Sequence, residues 1–302
     1  MRPLILAASR NRTLRAFARE HGLRIGAARF VAGTTLDDFV RRARELNAAG
    51  YRVSCAYLGE GVADRTAAAR IAEEFLAILD RLAAERLDSS LALKLTHLGL
   101  ALGTAVARES VARIVERAAT HGIFVRIDME ESAYVEVTLE IYRELRRRGL
   151  ENVGVVLQSY LRRSPTDLAG LLPLRPNVRI VKGAYREPGS LAFGWRGEID
   201  AAFLELVRAA LDGGAYVAVA THDDRLIEAA ITMRPPSSEE RLEIQMLLGV
   251  RDRLREGLVA RGLPVRVSVP FGGDWYPYLM RRLAEKPSNL WLVLRNLFPP
   301  SS

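Results

Sequence analysis

Cysteine is almost missing from this chain. Cys55 is the single one in 302 residues. A lone thiol excludes an internal disulfide and a cysteine-built metal cluster, and both exclusions suit a reducing cytoplasm. Histidine is scarce as well. His21, His97, His121 and His222 show no H-E-x-x-H spacing, so no catalytic metal is expected. No apolar run approaches the ~18 residues of a membrane span. The opening "MRPLILAASRNRTLRAF" lacks a long apolar stretch and a small-residue cleavage site, so no signal peptide is expected. Three fingerprints are also absent: G-x-G-x-x-G after a strand, the P-loop, and the G-x-S-x-G elbow. Positive charge is not lacking, since the net charge is +8, but it is dispersed. Arginines interleave with glutamates, as in "ARIAEEFLAILDRLAAERL", with no basic block carrying aromatics. That argues against nucleic acid and leaves open a peripheral contact with the anionic inner face of a membrane.

What is present is alternation. Short β-rich runs stand at 52–59, 91–99, 124–130, 153–160, 178–185, 216–223, 242–249 and 265–272. They are nearly continuous in apolar residues, as strands buried on both faces are. Between them lie segments with apolar residues three and four apart, such as "ESVARIVERAATHG". Strand and helix repeated eight times predict an α/β chain folded as a distorted (β/α)8 barrel of the TIM type. The expected organisation is one domain over 1–302. A helical N-terminal arm would cover 1–50, the barrel 51–288, and a C-terminal helix and tail 289–302.

Polar residues interrupt nearly every run. They are Glu60, Lys94, Asp128, Gln158, Arg179, Lys182, Thr221, His222 and Gln245. In such barrels the strand C-termini carry the active site, and buried charge is costly unless paired or bound. Each residue also has a plain reading. Lys94 could pair with Asp128, His222 could be a satisfied core histidine, and the glutamines could serve barrel backbone. Arg126 and Glu130 are expected to face away from Asp128. Together the set reads as a lined pocket of mixed charge.

The stretch "YPYLMRRLAE" adds a paired cation after the last run. On a helix Tyr278, Arg281, Arg282 and Glu285 would share one stripe. Adjacent arginines repel unless an anion sits between them. Glu285 could neutralise one of them, and a solvated helix face is the plain alternative.

Seven segments in order resemble the proline dehydrogenase family: "LKLTHLGL", "RIDMEES", "VVLQSYL", "RIVKGAYREP", "ATHDD", "IQMLLG" and "WYPYLMRRLAEKPSNL". The resemblance implies FAD-dependent oxidation of L-proline to Δ1-pyrroline-5-carboxylate by hydride transfer from C5 to flavin N5. It further implies electrons passed to a quinone, a cytoplasmic flavoprotein of proline catabolism, and a downstream pyrroline-5-carboxylate dehydrogenase as a potential partner. By the same resemblance Arg281 and Arg282, with Lys94, clamp the substrate carboxylate, and Tyr185 and Tyr278 pack on its ring. Glu60, Gln245 and Glu285 gate or support the site. Arg179 and Asp128 act at the flavin, and Met129, Gln158, Lys182, Gly183, Ala184, Thr221 and His222 hold it. Three positions depart from the family pattern. Ser268 stands where a tyrosine is common, which resembles the hydroxyproline-oxidising branch. Phe271 lacks a hydroxyl, and Ala56 stands near a frequent aspartate. A hydroxyproline dehydrogenase and a non-catalytic barrel-type binding protein are the alternatives.

Overall fold

Branched apolar residues on one face of each short run favour strands that pack under helices. The computed structural model describes residues 27–59, 61–234 and 241–285. Its strands are β1 (Arg52–Tyr57), β2 (Ser89–Leu93), β3 (Val125–Ile127), β4 (Val153–Gln158), β5 (Asn177–Val181), β6 (Tyr216–Ala220), β7 (Leu242–Leu247) and β8 (Val265–Phe271). They pair in parallel and close as β1-β2-β3-β4-β5-β6-β7-β8. Strand β1 is the seam, with Ser54 beside Ser90 on one flank and Ser268 on the other. The expected (β/α)8 architecture is what the chain adopts.

Helix α1 (Leu36–Ala48) precedes the barrel. Each of the first seven strands is followed by a helix: α2 (Arg65–Ala84), α3 (Thr104–Thr120), α4 (Val135–Arg147), α5 (Ser164–Leu171), α6 (Arg196–Asp212), α7 (Asp224–Thr232) and α8 (Asp252–Ala260). Helix α9 (Trp275–Glu285) follows β8. Local sequence explains the starts. Thr35 and Asp38 form a capping box on α1, and Asp64 Oδ1 accepts from Ala67 N at 2.8 Å to cap α2. The rest of the arm, 1–26, and the closing helix expected at 289–302 lie outside the described residues.

All eight strands end earlier than their apolar runs suggest, β2 and β5 by the most. The chain leaves the sheet at Leu93 and Val181, so Lys94 and residues 182–185 stand beyond the strand ends.

Alternation splits each strand between two environments. Val53, Cys55, Leu91, Ile127, Val219 and Val267 face the helices and join one apolar cluster with Phe75, Tyr142 and Phe203. Cys55 is fully buried there, and burial pushes its thiol far up. The inward face is polar. Ser54, Ser90, Arg126, Arg179, Gln245 and Arg266 line the barrel interior, where branched aliphatic residues usually dominate. Gly154 is what makes room. A Cβ there would lie 2.4 Å from Asn177 O and 2.5 Å from Arg126 Nη1, so only glycine lets that guanidinium lie across β4.

Candidate active site

The inward polar residues form a continuous network from barrel mouth to barrel floor. Asp128 follows β3, its N–H bonded to Leu93 O at 2.8 Å. Its carboxylate is ion-paired with Arg179 of β5. Arg179 Nη1 donates to Gln245 Oε1 at 3.5 Å, and Gln245 Nε2 donates to Glu243 Oε1 at 2.5 Å. Glu243 also accepts from Arg266 Nε at 2.9 Å, Tyr216 Oη at 2.9 Å and Arg52 Nη1 at 3.5 Å. Burial alone would raise the Glu243 carboxyl. The charge and hydrogen bonds of Arg266 outweigh it and hold the group below the usual carboxylate range.

Arg126 corrects an expectation. It does not face away from Asp128, because residues two apart on a strand share a face. Its Nη1 donates to Val155 O at 3.0 Å and Asn177 O at 2.6 Å, and its Nη2 to Asn177 Oδ1. Its guanidinium carbon lies 4.9 Å from the centre of the Phe124 ring. Burial first, then the neighbouring Arg179, pushes Arg126 down to about 9, so it stays charged at neutral pH. Glu130 is buried and accepts from Thr96 N at 3.0 Å and Thr96 Oγ1 at 2.5 Å. Burial pushes its carboxyl up, against the hydrogen bonds of Thr96 and the charge of Lys94.

At the mouth, buried Gln158 donates from Nε2 to Glu130 O at 2.9 Å, tying β4 to the turn after β3. Glu187 accepts from Ser132 N at 2.7 Å and Ser132 Oγ at 2.5 Å. That strap joins the loop carrying half-buried Tyr185 to the loop after β3. Gly183 has φ +114°, and a Cβ there would fall 2.2 Å from the Tyr160 ring. The loop therefore needs glycine both for its backbone and for this approach. Lys182 is paired with Asp200 and lies 3.6 Å from Asp223, at the starts of α6 and α7. Thr221 Oγ1 accepts from Asp223 N at 3.2 Å. His222 Nε2 accepts from Leu247 N at 2.9 Å, which puts the ring proton on Nδ1. Met129 is buried in the apolar cluster, and Ala184 is exposed.

Ser268 is half-buried on the inward face of β8, between Ser54 and Leu247. Ala56 lies on that face of β1. Phe271 is buried with its ring centre 5.3 Å from those of Phe39 and Tyr57, an apolar setting that suits the missing hydroxyl. Helix α9 carries Tyr278, Arg281, Arg282 and Glu285 at helical spacing after β8. Half-buried Tyr278 packs on the Phe30, Val31 and Trp275 cluster. The side chains of Arg281, Arg282 and Glu285, and all of Glu60, lie outside the described residues. No group of three metal-ligating side chains occurs among the described residues.

Sequence reading selects Asp128, Arg179 and Gln245 but misses Glu243, Arg266, Asn177, Tyr216 and Gly154. Alternation from Gln245 and Ser268 pointed at Glu243 and Arg266, each two residues upstream on the same face.

A sequence profile described as proline dehydrogenase matches residues 39–293. Proline dehydrogenase 1 of Bacillus subtilis subsp. natto is 40% identical over 301 residues, spanning 98% of this chain and 99% of that one. Proline dehydrogenase of Deinococcus radiodurans is 36% identical over 277 residues, 90% of this chain and 89% of that one. Among solved structures, proline utilization A from Bdellovibrio bacteriovorus, inactivated by N-propargylglycine, superposes with a TM-score of 0.81 at 21% identity. It covers 96% of this chain and 35% of that chain, a likeness of fold.

Proposed function

The chain belongs to the proline dehydrogenase family and is an oxidoreductase of proline catabolism, and on that footing we propose that it oxidises L-proline to Δ1-pyrroline-5-carboxylate with noncovalent FAD and a quinone as final acceptor. The observation that carries this reading is Arg179. Its guanidinium is held between Asp128 and Gln245 near the barrel mouth, and its Nε is buried without a hydrogen-bond partner. A buried donor left unmet is costly, and an electron-rich edge of a cofactor ring would satisfy it. Gly183, Gln158, Thr221, His222 and Lys182 cluster around the same strand ends, so the residues present fit FAD.

When bound, FAD supplies the acceptor for the hydride that leaves C5 of the substrate ring. The chain's own residues do the rest. Arg281 and Arg282, with Lys94, take the substrate carboxylate, since a planar guanidinium binds carboxylate through two parallel bonds. Tyr278 and Tyr185 flank the ring and limit its tumbling, which converts binding into orientation. Arg179 places fixed positive charge where negative charge develops, and Asp128 and Gln245 hold that guanidinium in place. Glu60 and Glu285 gate and support the clamp, while Met129 and Ala184 belong to the cofactor wall. The substrate nitrogen must be neutral for the hydride to leave, so its proton passes to water beforehand.

Ser268 supports a second reading. A small hydroxyl on the inward wall of β8 leaves room for, and a donor toward, a ring substituent, which favours hydroxyproline. The test is a visible spectrum followed by anaerobic titration with L-proline and with trans-4-hydroxy-L-proline. Bleaching of a flavin band supports the enzyme, and the stronger reductant names the substrate. A colourless protein that takes up no FAD overturns the reading. Ser268→Tyr is expected to shift the ratio of kcat/KM toward proline about 10-fold or more, the scale of filling one apolar gap. An unchanged ratio would mean that Ser268 does not meet the ring.

A further inference from the structure

The floor of the barrel is a second polar chamber, separate from the strand ends where the cofactor residues gather. It is a cavity of about 200 Å³ walled by Phe124, Arg126, Asn177, Arg179, Glu243 and Arg266, with Ser54, Ser90, Tyr216 and Gln245 completing it. Most of these residues stand in the N-terminal halves of their strands. Arg179, paired with Asp128, forms the roof toward the mouth.

The charges around this chamber do not balance. Three guanidinium groups, Arg126, Arg179 and Arg266, face two carboxylates. Asp128 is taken by Arg179 and Glu243 by Arg266. Arg126 is left with neutral oxygens alone, those of Val155 and Asn177, though it is only 3% exposed. A guanidinium has five N–H donors. Three of Arg126's are used, and the other two have no acceptor among the described residues. The Phe124 ring covers the guanidinium at 4.9 Å, so its charge is drawn toward a π face but not neutralised. Arg52 reaches Glu243 from the rim but also lies 4.0 Å from Asp88, which matches its charge and leaves an excess of one. A buried charge without a counter-charge is costly, and this one has an open polar volume beside it.

We propose that the barrel floor binds one small monovalent anion, of the halide class, as counter-ion to Arg126. One excess positive charge asks for one negative charge. The volume suits it, because a water occupies about 30 Å³, so the chamber holds roughly six waters, or an anion with its remaining hydration. The Ser54 hydroxyl on the wall offers a further donor. The Arg179–Asp128 pair separates the chamber from the mouth, where the substrate carboxylate is proposed to bind. This anion is thus distinct from the substrate carboxylate, and the inference does not depend on the chemistry proposed above.

The test uses the purified full chain with bromide as the probe. Crystals soaked in sodium bromide are expected to show an anomalous scattering peak inside the barrel, within hydrogen-bonding distance of Arg126. Thermal unfolding is followed in parallel as bromide replaces gluconate at constant ionic strength. The midpoint of the wild type is expected to climb with the logarithm of bromide concentration, by roughly 4 °C at a hundredfold excess over the dissociation constant. Arg126→Met is expected to flatten that response. Only water in the chamber at saturating bromide, with no anomalous peak, overturns the proposal whether or not the variant folds. A bromide response of the same size in Arg126→Met also overturns it. Neither readout involves flavin or turnover, so failure here leaves the proposed activity untouched.

Discussion

At Glu243 four side chains, from β1, β6, β7 and β8, converge on one carboxylate that is 2% exposed. A buried pair of this kind adds little net stability over an apolar core, but removing one partner strands the other. Glu243→Gln is therefore expected to lower the unfolding free energy by about 3–5 kcal/mol, read as a lower denaturant midpoint at unchanged slope. A loss under about 1 kcal/mol would mean that Arg266 is satisfied by Val53 O and Ser90 alone, which it also reaches. Residue identity announced part of this network. Charged Asp128 and Arg179 stand out in apolar runs, but the sequence offers Lys94 as a partner for Asp128, whereas the structure pairs it with Arg179. Glu243 and Arg266 lie near the starts of their strands, where a charge reads as a loop residue. Only the register that sets Gln245 beside Arg266 brings them together. The sequence pattern also misplaced Arg126. Its partners lie across β4 and β5, and Gly154, whose missing side chain admits it, leaves no positive signal.

At the level of elements, α9 is where the proposed clamp stands. Eleven helical residues after β8 align Tyr278, Arg281, Arg282 and Glu285. If the arginines clamp the substrate, Arg281→Ala is expected to raise KM for proline about 10- to 100-fold, the loss of one charged hydrogen bond. The flavin spectrum should not change. An unmoved KM would place the carboxylate elsewhere. The elements themselves were readable because every strand buries an apolar face and every helix repeats at three and four. The ends of β2 and β5 were less so. Apolar residues continue past Leu93 and Val181, but there the backbone turns from the ladder to present Lys94 and the Gly183 loop, and hydrophobicity does not record that turn. The Glu187–Ser132 strap was invisible for a related reason, since it joins residues 55 apart through loops with no period of their own.

For the molecule as a whole, acid is the informative stress. Burial would raise Asp223, but hydrogen bonds from Arg225 and Arg196 and the charge of Lys182 hold it down at about 2. Hydrogen bonds from Arg117 and His121 hold Asp80 at about 2. Carboxyls lowered in the folded state add stability that is complete above their unfolded value of about 3.9 and is lost as pH falls through the folded value. Stability is thus expected to decline between pH about 4 and about 2. Glu130, raised by burial, has the opposite sign and disfavours the folded state once it ionises. Urea midpoints measured across that range check the sum, and a flat profile would mean that these pairs persist in the unfolded chain. The barrel's closure gives one more handle. Cys55 sits on the seam strand β1, beside Val269 of β8, fully enclosed and with its thiol held protonated by burial. Attack by a thiol reagent therefore has to wait for the helices over β1 to lift. The single thiol acts as a stopwatch built into the ring. Its labelling rate in native buffer counts how often the helix layer opens over β1, without any probe having to be added to the chain.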